Sequence, residues 1–102
     1  MKLLIVTGIK ECKEAVSGIF KESGIEVFSV SEIAGFRDGN SFDLADSWFG
    51  SGGDSFDSIM LFSFTESGKA DKALQLIRKY NQESNAKFPI RGFILPVESY
   101  AF

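Results

Sequence analysis

Apolar positions along the chain follow two rhythms, one with the two-residue or continuous spacing of strands and one with the spacing of helices. Leu3-Leu-Ile-Val6 is apolar at consecutive positions within Lys2 to Thr7, which reads as a short buried strand ended by Gly8. Cys12, Ala15, Val16, Ile19 and Phe20 then recur three and four apart, predicting an amphipathic helix that Ser23-Gly24 closes as a C-terminal cap. Val27 to Phe36 carries the β-branched and aromatic content of a second strand, and Phe56 to Thr65, around Ile59-Met-Leu-Phe-Ser-Phe64, is a third. Glu66-Ser-Gly-Lys69 turns into a second helix, with Ser67 near its N-cap and Ala70, Ala73, Leu74, Ile77 and Tyr80 on one face. Asn81 to Pro89 interrupts that period with polar residues and a proline, and Arg91 to Val97 supplies a last strand.

The predicted order is β-α-β-β-α-β, an α+β ferredoxin-like sandwich in which two helices cover one face of a four-stranded antiparallel sheet. Residues 1–102 are expected to form one domain. A sheet with its second face in water should alternate polar and apolar residues along each strand. Leu3-Leu-Ile-Val6, Ile59-Met-Leu-Phe62 and Phe93-Ile-Leu95 do not alternate, so both faces are apolar across at least three strands. A soluble chain rarely leaves so large a patch bare, and self-association through the sheet is the economical expectation.

Charge and residue usage narrow the function. The net charge of −3 and pI near 4.9 provide no basic footprint for nucleic acid. The absence of histidine removes the commonest general base, the commonest metal ligand and every Ser-His or Cys-His nucleophile pair. The remaining Asp, Glu, Lys and Ser are scattered without a recognisable pairing, so the chain is read as a non-enzyme. Cys12 stands alone and sits on the apolar helix face, which makes it a core residue rather than a redox switch. Met1 to Gly8 is too short in apolar residues for a signal peptide and no 18-residue apolar run occurs, giving a cytoplasmic expectation. Eleven phenylalanines in so small a chain fit an aromatic core or an additional interface.

From Arg37 to Ser55 the sequence turns rich in Gly, Ser and Asp and loses its period, the signature of a long loop, which within a compact domain is either functional or disordered. Trp48-Phe49 in that setting is costly to leave in water and suits a partner-docking hot spot, or folds back onto the body. The loop aspartates are an alternative site for a hard cation, but Asp38-Gly-Asn-Ser-Phe-Asp43 lacks the ligand order and terminal glutamate of an EF-hand, and a solvated acidic loop is the preferred reading with no metal site assigned. Gly68-Lys69 matches a P-loop poorly, since Ser63 stands where its first glycine is needed and Ala70 where its hydroxyl is needed.

Two segments carry a family resemblance. Gly24-Ile-Glu-Val-Phe-Ser-Val-Ser-Glu-Ile-Ala-Gly-Phe-Arg37 and Phe93-Ile-Leu-Pro-Val-Glu98 together resemble the PII signal-transduction superfamily, over most of the chain. The resemblance implies a homotrimer packed around its sheets, with a small effector, an adenine nucleotide such as ATP, ADP or AMP with or without magnesium, held between subunits. It implies that Arg37 to Ser55 is the family's T-loop, which changes shape with ligand and docks on a target enzyme or membrane transporter. Carried over residue by residue, it places Ser29 and the Gly35-Phe36 backbone near the base, Arg37 and Arg91 on the anion, and Trp48 with Phe49 at the partner. The family's Gly-Asp-Gly-Lys phosphate loop is here Phe88-Pro-Ile-Arg91, with arginine on the lysine position and both glycines replaced, and the T-loop tyrosine used for covalent nucleotidylation is absent. The competing expectation is a structural trimer, of the kind seen in ferredoxin-fold metal-tolerance proteins, with no nucleotide sensing. A cleft containing Ser29, Arg37 and Arg91 favours the first, and one filled by Phe88, Tyr100 or Phe102 favours the second.

Overall fold

A computed structural model describes residues 1–36, 55–84 and 88–102. Strand β1 (Lys2–Ile9) leads through a single 3-10 turn (Lys10–Cys12) into helix α1 (Lys13–Glu22); β2 (Ser29–Phe36), β3 (Ser55–Thr65), α2 (Ser67–Ser84) and β4 (Arg91–Pro96) follow. The strands form one antiparallel sheet in the order β2-β3-β1-β4, with β2 and β4 as its edges. This is the ferredoxin-like α+β arrangement that the periodicity predicts.

The pairing register assigns every strand residue to a face. Leu4 and Val6 of β1 lie beside Ser63 and Leu61 of β3 and beside Ile94 and Gly92 of β4, and this is the face that both helices cover. Helix α1 buries Val16, Ile19 and Phe20 against it, and α2 buries Ala70, Ala73 and Ile77. Two alanines on the inner stripe of α2 let that helix lie close to the strands, and Gly92 completes the fit. A Cβ at Gly92 would stand 2.7 Å from Leu74 Cδ2 and 2.9 Å from Ile77 Cδ1. Phe20, fully buried, meets Phe28 edge to face at 5.1 Å, an arrangement that the aromatic quadrupole favours.

The end of α1 is a Schellman cap. Gly24 adopts φ of +83°, where a side chain would be strained, while Ile25 N–H donates to Phe20 O at 2.9 Å and Gly24 N–H to Lys21 O at 3.1 Å. The hydrophobic contact that accompanies such caps comes from the same two residues, since Ile25 and Phe20 are both in the core. Ser23 adds its hydroxyl, donating to Ile19 O at 2.7 Å.

Two boundaries differ from the expectation. Strand β2 begins at Ser29 rather than Val27, because the Val27 carbonyl accepts from the Ser63 hydroxyl at 2.6 Å and the Val27 side chain points to solvent. Helix α2 opens at Ser67, with Ala70 N–H donating to Glu66 O, so Ser67 lies inside the first turn. It also runs through Asn81 to Ser84, past the point where the polar residues suggest a break.

The sheet face opposite the helices carries Leu3, Ile5, Phe62, Phe64, Phe93 and Leu95. Phe64 is 57% exposed and Leu95 42% exposed, so this apolar surface is open to solvent along the Leu3–Phe64–Leu95 row. Toward the other end of the same face the residues become polar: Thr7 and Ser58 are buried, and the Ser58 hydroxyl has no hydrogen-bond partner among the described residues. No helix of the described residues is long and apolar enough to cross a membrane.

Candidate functional site

Ser29 opens β2, exposed, opposite Phe62 of β3. Gly35 and Phe36 end the same strand, opposite Phe56 and Ser55, so the chain leaves the sheet there toward residues 37–54. Arg37, Trp48 and Phe49 lie outside the described residues, as does the segment 37–55 apart from its last residue. Arg91 opens β4, half-buried and paired with Thr7, and its Nη1 donates to Pro89 O at 3.3 Å.

The register decides what these residues can do together. Ser29 shares a row with Phe62, Ile5 and Phe93, and the next row runs Ser31, Met60, Thr7, Arg91. Ser29 and Arg91 therefore stand on opposite edges of the sheet with two strands between them and one row apart, roughly 16 Å at ordinary strand geometry. A single chain does not bring them around one ligand. They can converge only where the β2 edge of one copy approaches the β4 edge of another.

What one chain does assemble is a groove between α2 and β4, with a volume of about 320 Å³, lined by Leu74, Ile77, Arg78 and Asn81 from the helix and by Ile90, Arg91, Gly92 and Phe93 from the strand side. Its frame is rigid. The Asn81 side chain donates through Nδ2 to Ile90 O at 2.8 Å and accepts through Oδ1 from Ile90 N–H at 2.9 Å, closing both backbone groups of the residue that precedes β4. Sequence reasoning missed Asn81 by treating it as the start of a helix break, and gave Arg78 no role. The usable signal was the i, i+3/i+4, i+7 stripe Leu74, Ile77/Arg78, Asn81, which continues the inner face of the helix by one more turn.

On the opposite side of the sheet from β4, Lys10 and Glu32 pair at 2.9 Å beside Lys13, Val30 and Ile59. The hydrogen bond and charge of each holds the other ionised, lowering the Glu32 pKa and raising that of Lys10. Cys12 lies in the core next to Tyr80; burial pushes its thiol pKa up and the Tyr80 hydroxyl offsets part of that rise. Tyr100 and Phe102 stack on each other at 4.6 Å and are exposed, whereas Phe88 is half-buried. Among the described residues, no group of three or more His, Cys, Asp or Glu is placed to hold a metal ion.

No family model matches the sequence, and no curated protein matches it. Solved structures do. One is a PII-like protein of proposed signaling role from Thermus thermophilus, with a TM-score of 0.56, 13% sequence identity, and coverage of 92% of this chain and 83% of that one. Another is a DUF3240 family protein from Shewanella baltica, with a TM-score of 0.53, 19% identity, and coverage of 99% and 93%. At these identities the likeness is one of fold, and the chain has a PII-like fold.

Proposed function

We propose that this chain is a PII-like regulatory protein that assembles as a homotrimer through the bare face of its sheet and binds a small effector, an adenine nucleotide such as ATP, ADP or AMP, between subunits. The observation that carries the reading is the open apolar face formed by Leu3, Ile5, Phe62, Phe64, Phe93 and Leu95 in a fold of this kind. Leaving that surface in water is unfavourable by ~25 cal/mol for each Å² that a partner could cover. The apolar residues span β3, β1 and β4, and on this reading Ser29 at the β2 rim of one copy and Arg91 at the β4 rim of another reach a ligand held between them.

Within that frame Ser29 and the Gly35-Phe36 backbone contact the base, and Arg37 with Arg91 hold the anion. A guanidinium suits that role because its planar fork donates two parallel hydrogen bonds to an oxyanion. The segment 37–55, leaving the sheet directly after Gly35-Phe36, responds to the occupied cleft, and Trp48 with Phe49 docks on a target, a membrane transporter or an enzyme. Such a response is a population shift, so the effector must bind one state of the segment better than the other.

Isothermal titration with ATP, ADP, AMP and cyclic AMP, each with and without magnesium, tests the reading once the oligomer has been sized. It predicts one site per chain with a Kd of order micromolar, about −8 kcal/mol. Absence of heat with all four would remove the nucleotide and leave the structural trimer as the better account.

A further inference from the structure

Exposed apolar side chains gather at one end of the sheet. Met1 is exposed there, Phe64 and Leu95 share the last row of the open face, and residues 97–102 leave β4 from the same end, with Val97 N–H donating to Met1 O at 3.4 Å. That segment carries Tyr100 and Phe102, whose rings stack at 4.6 Å with 21° between their planes although both are exposed, Phe102 completely. The stacked pair forms a single flat apolar plug with nothing of its own chain's core beneath it. On the body of the protein, Met1 and Phe64 form the apolar wall of a pocket of about 390 Å³, rimmed by Thr65, Glu66 and Ser67 where β3 turns into α2. Neither Tyr100 nor Phe102 lines that pocket.

The strand order β2-β3-β1-β4 sets the pocket and the plug on opposite flanks of β1: the pocket lies on the β3 side of Met1, and the plug's root lies on the β4 side. Unlike patches on opposite flanks of one surface are what a head-to-tail contact joins, and such contacts close into rings when the rotation allows. We infer that the Tyr100–Phe102 ring pair of one copy docks in the Met1–Phe64 pocket of the next. The two surfaces match in chemistry. Phe102 suits the Met1–Phe64 wall, and a tyrosine, apolar in its body with a hydroxyl at its tip, suits the polar rim at Thr65, Glu66 and Ser67. The five residues beyond Val97 reach up to about 17 Å when extended, more than three strand spacings, which is enough to cross from β4 of one copy onto its neighbour. The inference rests on the assembly proposed above, since Phe64 belongs both to the pocket and to the open face, and it adds the segment that fastens one copy to the next.

Nuclear Overhauser spectra of the full chain, prepared as a mixture of carbon-13-labelled and unlabelled copies and filtered for contacts between copies, test the docking directly. The expected contacts run from the ring protons of Tyr100 and Phe102 to the methyl groups of Met1 and Thr65 of a different copy. Sedimentation of the Tyr100→Ser/Phe102→Ser double variant should show assembly weakened by about tenfold or more, the loss that uncovering two aromatic rings entails, with circular dichroism unchanged because neither ring belongs to the core. Ring contacts confined within one copy, or a double variant that assembles as tightly as the wild type, would overturn the inference. Leu95→Glu separates it from the reading beneath it, because Leu95 lies on the open face but does not line the pocket. A double variant of wild-type affinity beside a Leu95→Glu variant that falls apart overturns the docking and leaves assembly through the face standing; a wild-type chain that stays monomeric removes both.

Discussion

Truncating Asn81 to alanine is the sharpest test of how the β4 edge is held. The side chain makes two hydrogen bonds, at 2.8 and 2.9 Å, to both backbone groups of Ile90, a residue that is itself buried. Each such bond contributes roughly 0.5–1.5 kcal/mol net, and removing one partner strands the other. Asn81 is only half-buried, so water can re-solvate part of what is lost, and the expected cost is about 2 kcal/mol rather than the sum of two stranding penalties. With a urea dependence of about 1–3 kcal/mol per molar for a domain of this size, the unfolding midpoint should fall by about 1 M. Urea titration of both proteins at one fixed concentration measures it, the concentration being held because assembly adds to apparent stability. Asn81→Asp should regain stability relative to Asn81→Ala on acidification, since a protonated carboxyl can again donate to Ile90 O. A change under about 0.5 kcal/mol, the scatter of ordinary surface substitutions, would refute the idea that this amide clamps the strand.

Other consequences follow from the packing and charge. Gly92→Ala should cost about 1–2 kcal/mol by thermal or urea unfolding, because the new Cβ would push on Leu74 Cδ2 and Ile77 Cδ1; pairing it with Leu74→Ala should cost less than the two single changes added. Ser58→Ala should be neutral or stabilising by up to about 1 kcal/mol in the same assay, since it deletes a buried hydroxyl without a partner; a loss above about 1 kcal/mol would show that the hydroxyl is bonded. The Lys10–Glu32 pair stabilises the fold only while both groups are charged. Glu32, with its pKa lowered, contributes above its ordinary value of 4.5 and loses that contribution as pH falls through its folded pKa. Lys10, with its pKa raised, contributes below 10.5 and loses it as pH rises through its own. A double-mutant cycle with Lys10→Gln and Glu32→Gln should therefore give its largest coupling between those limits, small and salt-sensitive because both side chains are exposed.

The elements were legible because their signals are local. The cap at Ser23-Gly24 needs only a residue free to take positive φ, and the helix stripes through Phe20 and Ile77 need only spacing. The bare sheet face was legible for a related reason: strands apolar at consecutive positions have to bury both sides. The site was less so. Ser29 and Arg91 sit on opposite edges of the sheet, and no pattern along the chain says which residues a second copy brings together. Asn81 was misread because its polarity is satisfied by a partner nine residues away, and an amide facing inward looks the same in sequence as one facing water.

Sedimentation equilibrium of the wild-type chain beside Phe64→Glu tests the central claim most directly. Phe64 is 57% exposed on the open apolar face, so a carboxylate there should leave the folded chain intact and be intolerable in a covered interface. The account predicts a wild-type mass three times the 11.2 kDa of the chain and a Phe64→Glu mass close to a single chain, with unchanged circular dichroism. A wild-type protein that sediments as a monomer at tens of micromolar, or a Phe64→Glu variant that keeps the wild-type mass, would contradict assembly through this face.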